Sequence, residues 1–334
     1  MTAFRYVIAP AMGMLLAVPA TSQASGVACG STITSHTKLR ADLTNCPADG
    51  LVIGADGITL DLGRRTIDGA GTGAGIRLAG HRNVTIKGGT VREFATGVVV
   101  ENASGARVRD LTVRAVAGRA IDVTGGSANA FEDVTSTGNR TGLALTDTTR
   151  NTIRGSSFTD NAITGVLLFG ATRNRVELNR FAGNVGNGVA AVEGADGNTI
   201  AANAVEGSQT GLIVDAAHDN VLSLNHVTGA GDGVLIAGDR NKVAGNLIDR
   251  SVGGCEGCSG WGIGVTGGAG NVVTANLVQR SRSDGINVAA AGTWIALNVT
   301  LRNGGRGIAA VKGVRDGGGN HASGNGAPCS GVRC

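Results

Sequence analysis

Aromatic residues are scarce in this chain: six Phe, two Trp and one Tyr among 334 residues. That excludes a wide core filled with rings and leaves little material for a long sugar-stacking platform. Proline is scarcer still, at four residues, so few positions are barred from donating to a strand ladder. Charge of one sign is not in excess either. The formal net charge is +4, and so small a value on a chain of this length argues against nucleic acid as a main partner. Long apolar runs are missing except at the start. There Arg5 precedes a mostly apolar run from Tyr6 to Ala20, and the small-residue stretch Ser22-Gln23-Ala24 follows. This is the pattern of a secretory signal, residues 1–24, which places the mature protein outside the cytoplasm, either secreted or periplasmic. The run is too short for a membrane span, and no other segment is long enough for one.

Glycine, by contrast, is abundant, at 57 residues, and it recurs in order. Gly142-Leu, Gly165-Val, Gly188-Val, Gly211-Leu, Gly233-Val, Gly262-Ile, Gly285-Ile and Gly307-Ile each open a short apolar run. In phase with them comes an asparagine: Asn179, Asn203, Asn225, Asn246, Asn276 and Asn298, separated by 24, 22, 21, 30 and 22 residues. Each stands three residues after an apolar position. A fixed period with two short apolar runs per repeat predicts stacked coils. An asparagine at the same turn of every coil can hydrogen-bond to its neighbours above and below. The ladder is missing from the early coils, and Ser156 takes its place in the coil before Asn179. About eleven coils follow from this pattern, a rod of roughly 50 Å at the usual strand spacing.

Six cysteines lie beyond the signal: Cys29, Cys46, Cys255, Cys258, Cys329 and Cys334. An even number in an exported chain reads as disulfides, and proximity favours 29–46, 255–258 and 329–334 among the 15 pairings that six cysteines allow. Residues 25–50 are expected to form an N-terminal cap, 51–316 the helix of strands and 317–334 a C-terminal cap or tail. A zinc or redox role for Cys255-Glu-Gly-Cys258 is the less expected reading, because a redox pair of this spacing normally opens a helix. No metal or cofactor is expected.

The repeat resembles the right-handed parallel β-helix proteins of the pectate-lyase-like superfamily, in the short form found in secreted carbohydrate-active proteins and in the periplasmic accessory protein of nitrous-oxide reductase. The stretch from Cys29-Gly30 through Cys46 to Ile58-Thr-Leu-Asp-Leu is similar to the N-terminal region of exported bacterial β-helix proteins. The resemblance covers nearly all of residues 27–334. It implies an all-β fold, a single right-handed solenoid with disulfide-closed ends. It carries no activity with it, because the superfamily holds lyases, hydrolases, epimerases and proteins without known chemistry.

Chemistry on such a rod must come from outward side chains. Strand alternation predicts one outward column through Val99, Asp122, Ala144, Leu167, Ala190, Ile213, Leu235, Gly264, Asn287 and Ala309. A second runs through Glu101, Thr124, Thr146, Phe169, Val192, Asp215, Ala237, Thr266, Ala289 and Val311. Both are mostly apolar, and no cluster of acidic calcium ligands with a nearby base appears in them. The stripe Leu167, Phe169, Val192, Ile213 and Leu235 is either a partner surface or a bed for a loop or the C-terminal tail. A third column, one residue before each strand-opening Gly, ends in Asp232, Trp261, Asp284 and Arg306. Asp232 and Asp284 stand two coils apart, about 9.6 Å by strand spacing, near the upper limit for the carboxylates of an inverting glycosidase. Asp232, Asp284 and Arg306 are therefore the catalytic candidates, with Trp261 and Asn287 as saccharide-binding candidates. The competing reading is that acids before Gly only stabilise turns.

Two functions stay open at this point. One is a secreted monomer that binds, and in its fuller form cleaves, an extracellular polysaccharide as a hydrolase or lyase. The other is a non-catalytic binding or scaffold protein for a polysaccharide or cell-surface partner.

Overall fold

The computed structural model describes residues 26–334; the expected signal lies outside them. Every regular element described is a β-strand. Thirteen strands pair side by side into one long sheet, from Ser31–Ile33 to Ile308–Ala310. Two narrower sheets take the rest of each coil. In one representative coil these contributions are Arg175–Glu177 and Arg180–Ala182, which pair in parallel with Thr199–Ala201 and Ala204–Glu206 of the next. Each circuit returns to the long sheet one strand further along, so the architecture is the right-handed parallel β-helix expected from the repeat. No described helix is long and apolar enough to cross a membrane.

The count of about eleven coils falls short of the thirteen strands in the long sheet. Its first strand, Ser31–Ile33, lies inside the segment expected as a cap and already pairs with Leu51–Ile53. Its opening Gly30 aligns with Gly50, but Ser31-Thr32-Ile33 carries a single large apolar residue, so no apolar run marks it in the sequence. The disulfides are the three that proximity favours: Cys29–Cys46, Cys255–Cys258 and Cys329–Cys334. Cys46 is wholly buried and Cys329 packs against the end of the core, so the outer two pairs tie down the two ends.

The cross-section has three corners, and each carries its own asparagine ladder. The sequence pattern singles out only one of them, from Ser156 through Asn179 and Asn225 to Asn298 and Asn320. A second runs from Asn129 through Asn151, Asn174, Asn198, Asn220 and Asn241 to Asn271. A third joins Asn139, Asn161 and Asn184, and resumes at Ser281, Asn303 and Asn325. The bonding is the same throughout. The backbone N–H of one asparagine donates to the side-chain oxygen of the asparagine one coil on. The amide of Asn179, for example, donates to the Asn203 side-chain oxygen at 3.1 Å and to the Ile153 carbonyl at 2.9 Å. A chain turning sharply inside a core has no water for its N–H groups, and the ladder supplies the acceptors.

Inside, Val, Ile and Leu fill the coil with four fully buried phenylalanines, Phe94, Phe131, Phe158 and Phe181; the last two stack at 5.3 Å between ring centres. The repeated strand-opening Gly is a steric need. A Cβ on Gly165 would strike the Gly188 carbonyl and the Phe181 ring, and one on Gly211 would strike the Gly233 carbonyl and Val227.

Replacing Asn225 by Leu strands the Asn203 N–H, takes one of two acceptors from the Asn203 amide and removes the side-chain donor to the Ile200 carbonyl, while the Asn246 side-chain oxygen keeps only the backbone N–H. Chemical unfolding is expected to show a loss of about 3 kcal/mol, whereas Asn225→Asp, which keeps the acceptor oxygen, loses less.

Candidate functional site

Register along the long sheet places the predicted outward columns. Val99, Asp122, Ala144, Leu167, Ala190, Ile213, Leu235, Gly264, Asn287 and Ala309 do stand in one row. The second row holds through Phe169, Val192, Asp215 and Ala237 and then departs from expectation. Ala237 pairs with Gly267 rather than Thr266, because the strand register shifts after Ile236. The C-terminal tail does not cover the apolar stripe. It bridges onto the end of the sheet through Arg306–Ala327 and Ala309–Ser330. Phe169 is exposed, and Leu167, Val192, Ile213 and Leu235 are half-buried.

Trp261 sits at the C-terminal end of this stripe. It opens a coil one residue before Gly262, and its ring lies over the bare Cα of Gly264, next to Leu235. A Cβ on Gly264 would come within 2.7 Å of ring atom Cε3. Glycine at this outward position is what makes room for the ring against the sheet. The half-buried ring thus prolongs the row of Leu167, Ala190, Ile213 and Leu235, and Asn287 stands next in the same row.

The carboxylates flanking Trp261 are already engaged. Asp232 is 1% exposed, and its two oxygens accept the N–H groups of Trp261 at 2.8 Å and Ser259 at 3.0 Å, both on the next coil. Asp284 accepts the Arg306 N–H at 2.7 Å with one oxygen and the Asn287 amide at 2.9 Å with the other. Asp49 occupies the same place before Gly50 and accepts the Ala74 N–H, again one coil on, at 2.7 Å. An acid before a strand-opening Gly is thus a bridge from one coil to the next. The sequence spacing held this signal in Asp49-Gly50, which the column read from the later coils did not include. Arg306 is exposed and borders the site without an ion-pair partner among the described residues. The candidates therefore do come together around Trp261, but Asp232 has no oxygen left to face a ligand.

The insertion that interrupts the period folds back instead of projecting. The Cys255–Cys258 disulfide rests on Gly231, where any Cβ would collide with both sulfurs, and the Gln209 side chain donates to the Glu256 carbonyl at 2.7 Å. Beside it lies a shallow groove of about 470 Å³, walled by Val185, Gln209, Val252 and Glu256. Below it the third ladder is interrupted: Ser208, Ala230 and Ser251 replace asparagine, and the Ser208 and Ser251 hydroxyls are buried without partners.

A metal finds few donors. Among the described residues no three His, Cys, Asp or Glu side chains gather into a cluster, and all six cysteines are oxidised. The three methionines all precede residue 26. His81 pairs with Asp56, and His218 accepts the Asp239 N–H and lies 3.5 Å from that carboxylate.

Residues 53–249 and 183–325 match the NosD family, described as periplasmic copper-binding protein. No curated protein matches the chain. Among solved structures, the A-module of the Azotobacter vinelandii mannuronan C-5 epimerase AlgE6 aligns over 91% of this chain and 90% of its own, with a TM-score of 0.58 and 12% identity. The periplasmic alginate epimerase AlgG aligns over 84% and 76%, with a TM-score of 0.59 and 11% identity. The catalytic unit of a GH87 alpha-1,3-glucanase from Streptomyces thermodiastaticus aligns over 91% and 64%, at 0.54 and 15%. At such identities the likeness is one of fold.

Asp232→Ala is expected to cost about 3 kcal/mol, for two charge-assisted bonds lost in a buried place, and to open residues 255–258 to limited proteolysis. Asp284→Ala, in a more open position, should cost less and leave that loop resistant. The Asp49 carboxyl is held below its ordinary value of 3.8, first by the hydrogen bond from Arg77. The unfolded chain thus takes up this proton more readily, so the stabilisation is whole above about pH 4 and disappears as pH falls through the folded value. Asp49→Asn should therefore lower the melting temperature at neutral pH, and the difference from the wild type should shrink as pH falls below the ordinary carboxylate value.

Proposed function

The chain belongs to the NosD family, and from that premise we propose that it is an extracytoplasmic binding protein for a polysaccharide, held on the outer face of the long sheet. One observation carries the reading: the Trp261 ring packs against Gly264 in line with an apolar row, with the polar Asn287 next to Gly264 in that row. Sugar rings offer apolar faces to aromatic and aliphatic side chains and hydroxyls to amides and charged groups at the edge. The row supplies the first contact, and Asn287, Asp284 and the unpaired Arg306 supply the second.

Binding without cleavage is the form that the carboxylates support. An inverting hydrolase needs one protonated acid and one base, each open to the substrate. Asp232 is closed off by two backbone N–H groups, so Asp284 would stand alone. The polysaccharide epimerases and the glucanase of similar shape bring their substrate class to this chain as a suggestion only.

Copper, named in the family's description, does not fit the donors of the oxidised chain. Copper(I) selects thiolate and thioether, and copper(II) favours imidazole in a planar set. Among the described residues there is no free thiolate, no methionine and no cluster of imidazoles.

A panel of neutral and uronic-acid polysaccharides, scored for both binding and released sugar, tests the proposal. Retention without release is expected, and Trp261→Ala should weaken it at least tenfold, about 1.4 kcal/mol or more. Sugar release that Asp284→Asn abolishes would make the protein an enzyme. No binding to any member of the panel would remove the reading.

A further inference from the structure

The C-terminal end of the rod is a basic pole. Residues 276–334 hold seven Lys and Arg against two Asp and Glu, a formal charge of +5 (7 − 2), on a chain whose net charge is +4. Charge segregated in this way draws anions to one region of a molecule. We propose that the third corner, at this end, holds a site for a phosphate dianion, free or carried as the monoester of a sugar. The site is separate from Trp261 and the inference is independent of the polysaccharide reading.

The first support is a formed cavity. Gln279, Leu301 and Ser323 pair in register on three successive coils, about 4.8 Å apart, just before the corner. With Arg280, Arg302 and Gly324, which follow them, they line a cavity of about 370 Å³. That volume is in the lower part of the range for small-molecule sites. Leu301 is half-buried and gives the cavity an apolar wall, while the Gln279 amide and the Ser323 hydroxyl supply donors on the coils to either side.

The second support is how the cations are held. Arg280 turns one edge of its guanidinium to the buried Asp249 carboxylate, with Nε at 2.7 Å and Nη2 at 2.6 Å. A guanidinium has five N–H donors, so this pairing fixes the group and leaves its remaining N–H groups free. Arg302, exposed one coil on, has no ion-pair partner among the described residues. Arg250, one coil back, lies 3.4 Å from the same Asp249. Three guanidinium groups and one carboxylate leave a local charge of +2 (3 − 1). A phosphomonoester carries close to two negative charges at neutral pH. A carboxylate or a sulfate ester carries one. The charge balance therefore favours phosphate.

The third support is that the fold does not call for these arginines. Arg250, Arg280 and Arg302 stand in left-handed turns, at φ 56°, 57° and 55°. On the coils that flank them the same turn holds Gly229 and Gly324, at φ 65° and 64°. Glycine adopts this backbone without the steric conflict that a side chain brings, so the turn forms at least as well without a guanidinium. What the three arginines add is charge on consecutive coils.

The test uses the full chain and calorimetry at neutral pH with glucose 6-phosphate, glucose 6-sulfate, glucuronate and inorganic phosphate as probes. One site per chain is expected, with glucose 6-phosphate bound roughly tenfold more tightly than the sulfate or the glucuronate. Comparison with inorganic phosphate then tells whether the dianion comes on a sugar or free. Arg302→Gly gives the turn the residue it holds on the flanking coils. This variant should keep or raise the melting temperature and weaken phosphate binding about tenfold or more. Arg280→Ala should weaken it too. Arg315→Ala removes a charge from the same basic pole but outside the cavity, and should leave binding unchanged. Four results would each overturn the proposal: equal affinity for phosphate and sulfate esters, full binding by Arg302→Gly, an equal loss in Arg315→Ala, or no uptake of either phosphate. In the last case, capture of the chain by phosphatidylglycerol vesicles would assign the basic pole to a membrane surface instead.

Discussion

The fold depends on how a buried corner disposes of its N–H groups. A strand passing into a turn inside a close-packed rod leaves donors that no sheet neighbour reaches. An orphaned buried N–H costs about 1–3 kcal/mol, and three corners recur on every coil. Asparagine resolves this because its side chain is a peptide group on a short arm, with one acceptor and two donors. Placed at a corner, it accepts from the backbone of the coil before it, and its amide reaches both a carbonyl and the next asparagine. The narrow cross-section, the Val-Ile-Leu filling and the bare glycines that let coils approach all assume that these corners are already satisfied.

Much of this was legible in the residues and some was not. The ladder through Asn179 and Asn225 is visible because each member follows an apolar position at a fixed offset. The ladder through Asn174 and Asn220 runs five residues earlier at the same period, at the other end of the same three-residue strands, so its period coincides with the one already read. The third ladder is broken by Ser208, Ala230 and Ser251, and an interrupted row of polar residues does not show as a period. The first outward column could be read to Ala309, and the second only as far as Ala237, where a register shift defeats simple alternation. The residues around Trp261 could be grouped from spacing alone. Their bonding could not, because an acid that serves a turn and an acid that serves a ligand have the same sequence.

The coil-to-coil carboxylate bridge explains why the rod tolerates its one long insertion. Residues 252–260 add length where a coil must still meet the next in register. Asp232 takes the N–H of Trp261, the residue that resumes the period, and so fixes where the added segment ends. The loop's bulk goes backward over Gly231, which has no side chain to resist it. The ladder is interrupted beneath that spot, so the insertion is anchored over a corner whose inner hydrogen bonding is incomplete.

The ladders also have a direction. At every step the N–H belongs to the earlier coil and the accepting oxygen to the later one, as in Asn203 to Asn225 and Asn276 to Asn298. A rod ending at any coil therefore leaves donors bare on its C-terminal side and spare acceptors on its N-terminal side. Lone acceptors are tolerated better than lone N–H groups, so the two ends are not equivalent. A chain emerging N-terminus first always presents a leading coil whose corners await the next one. Its growing face is the sticky one, open to the matching face of any chain with the same repeat until Asn320, Asn325 and the disulfide-tied tail arrive to close it.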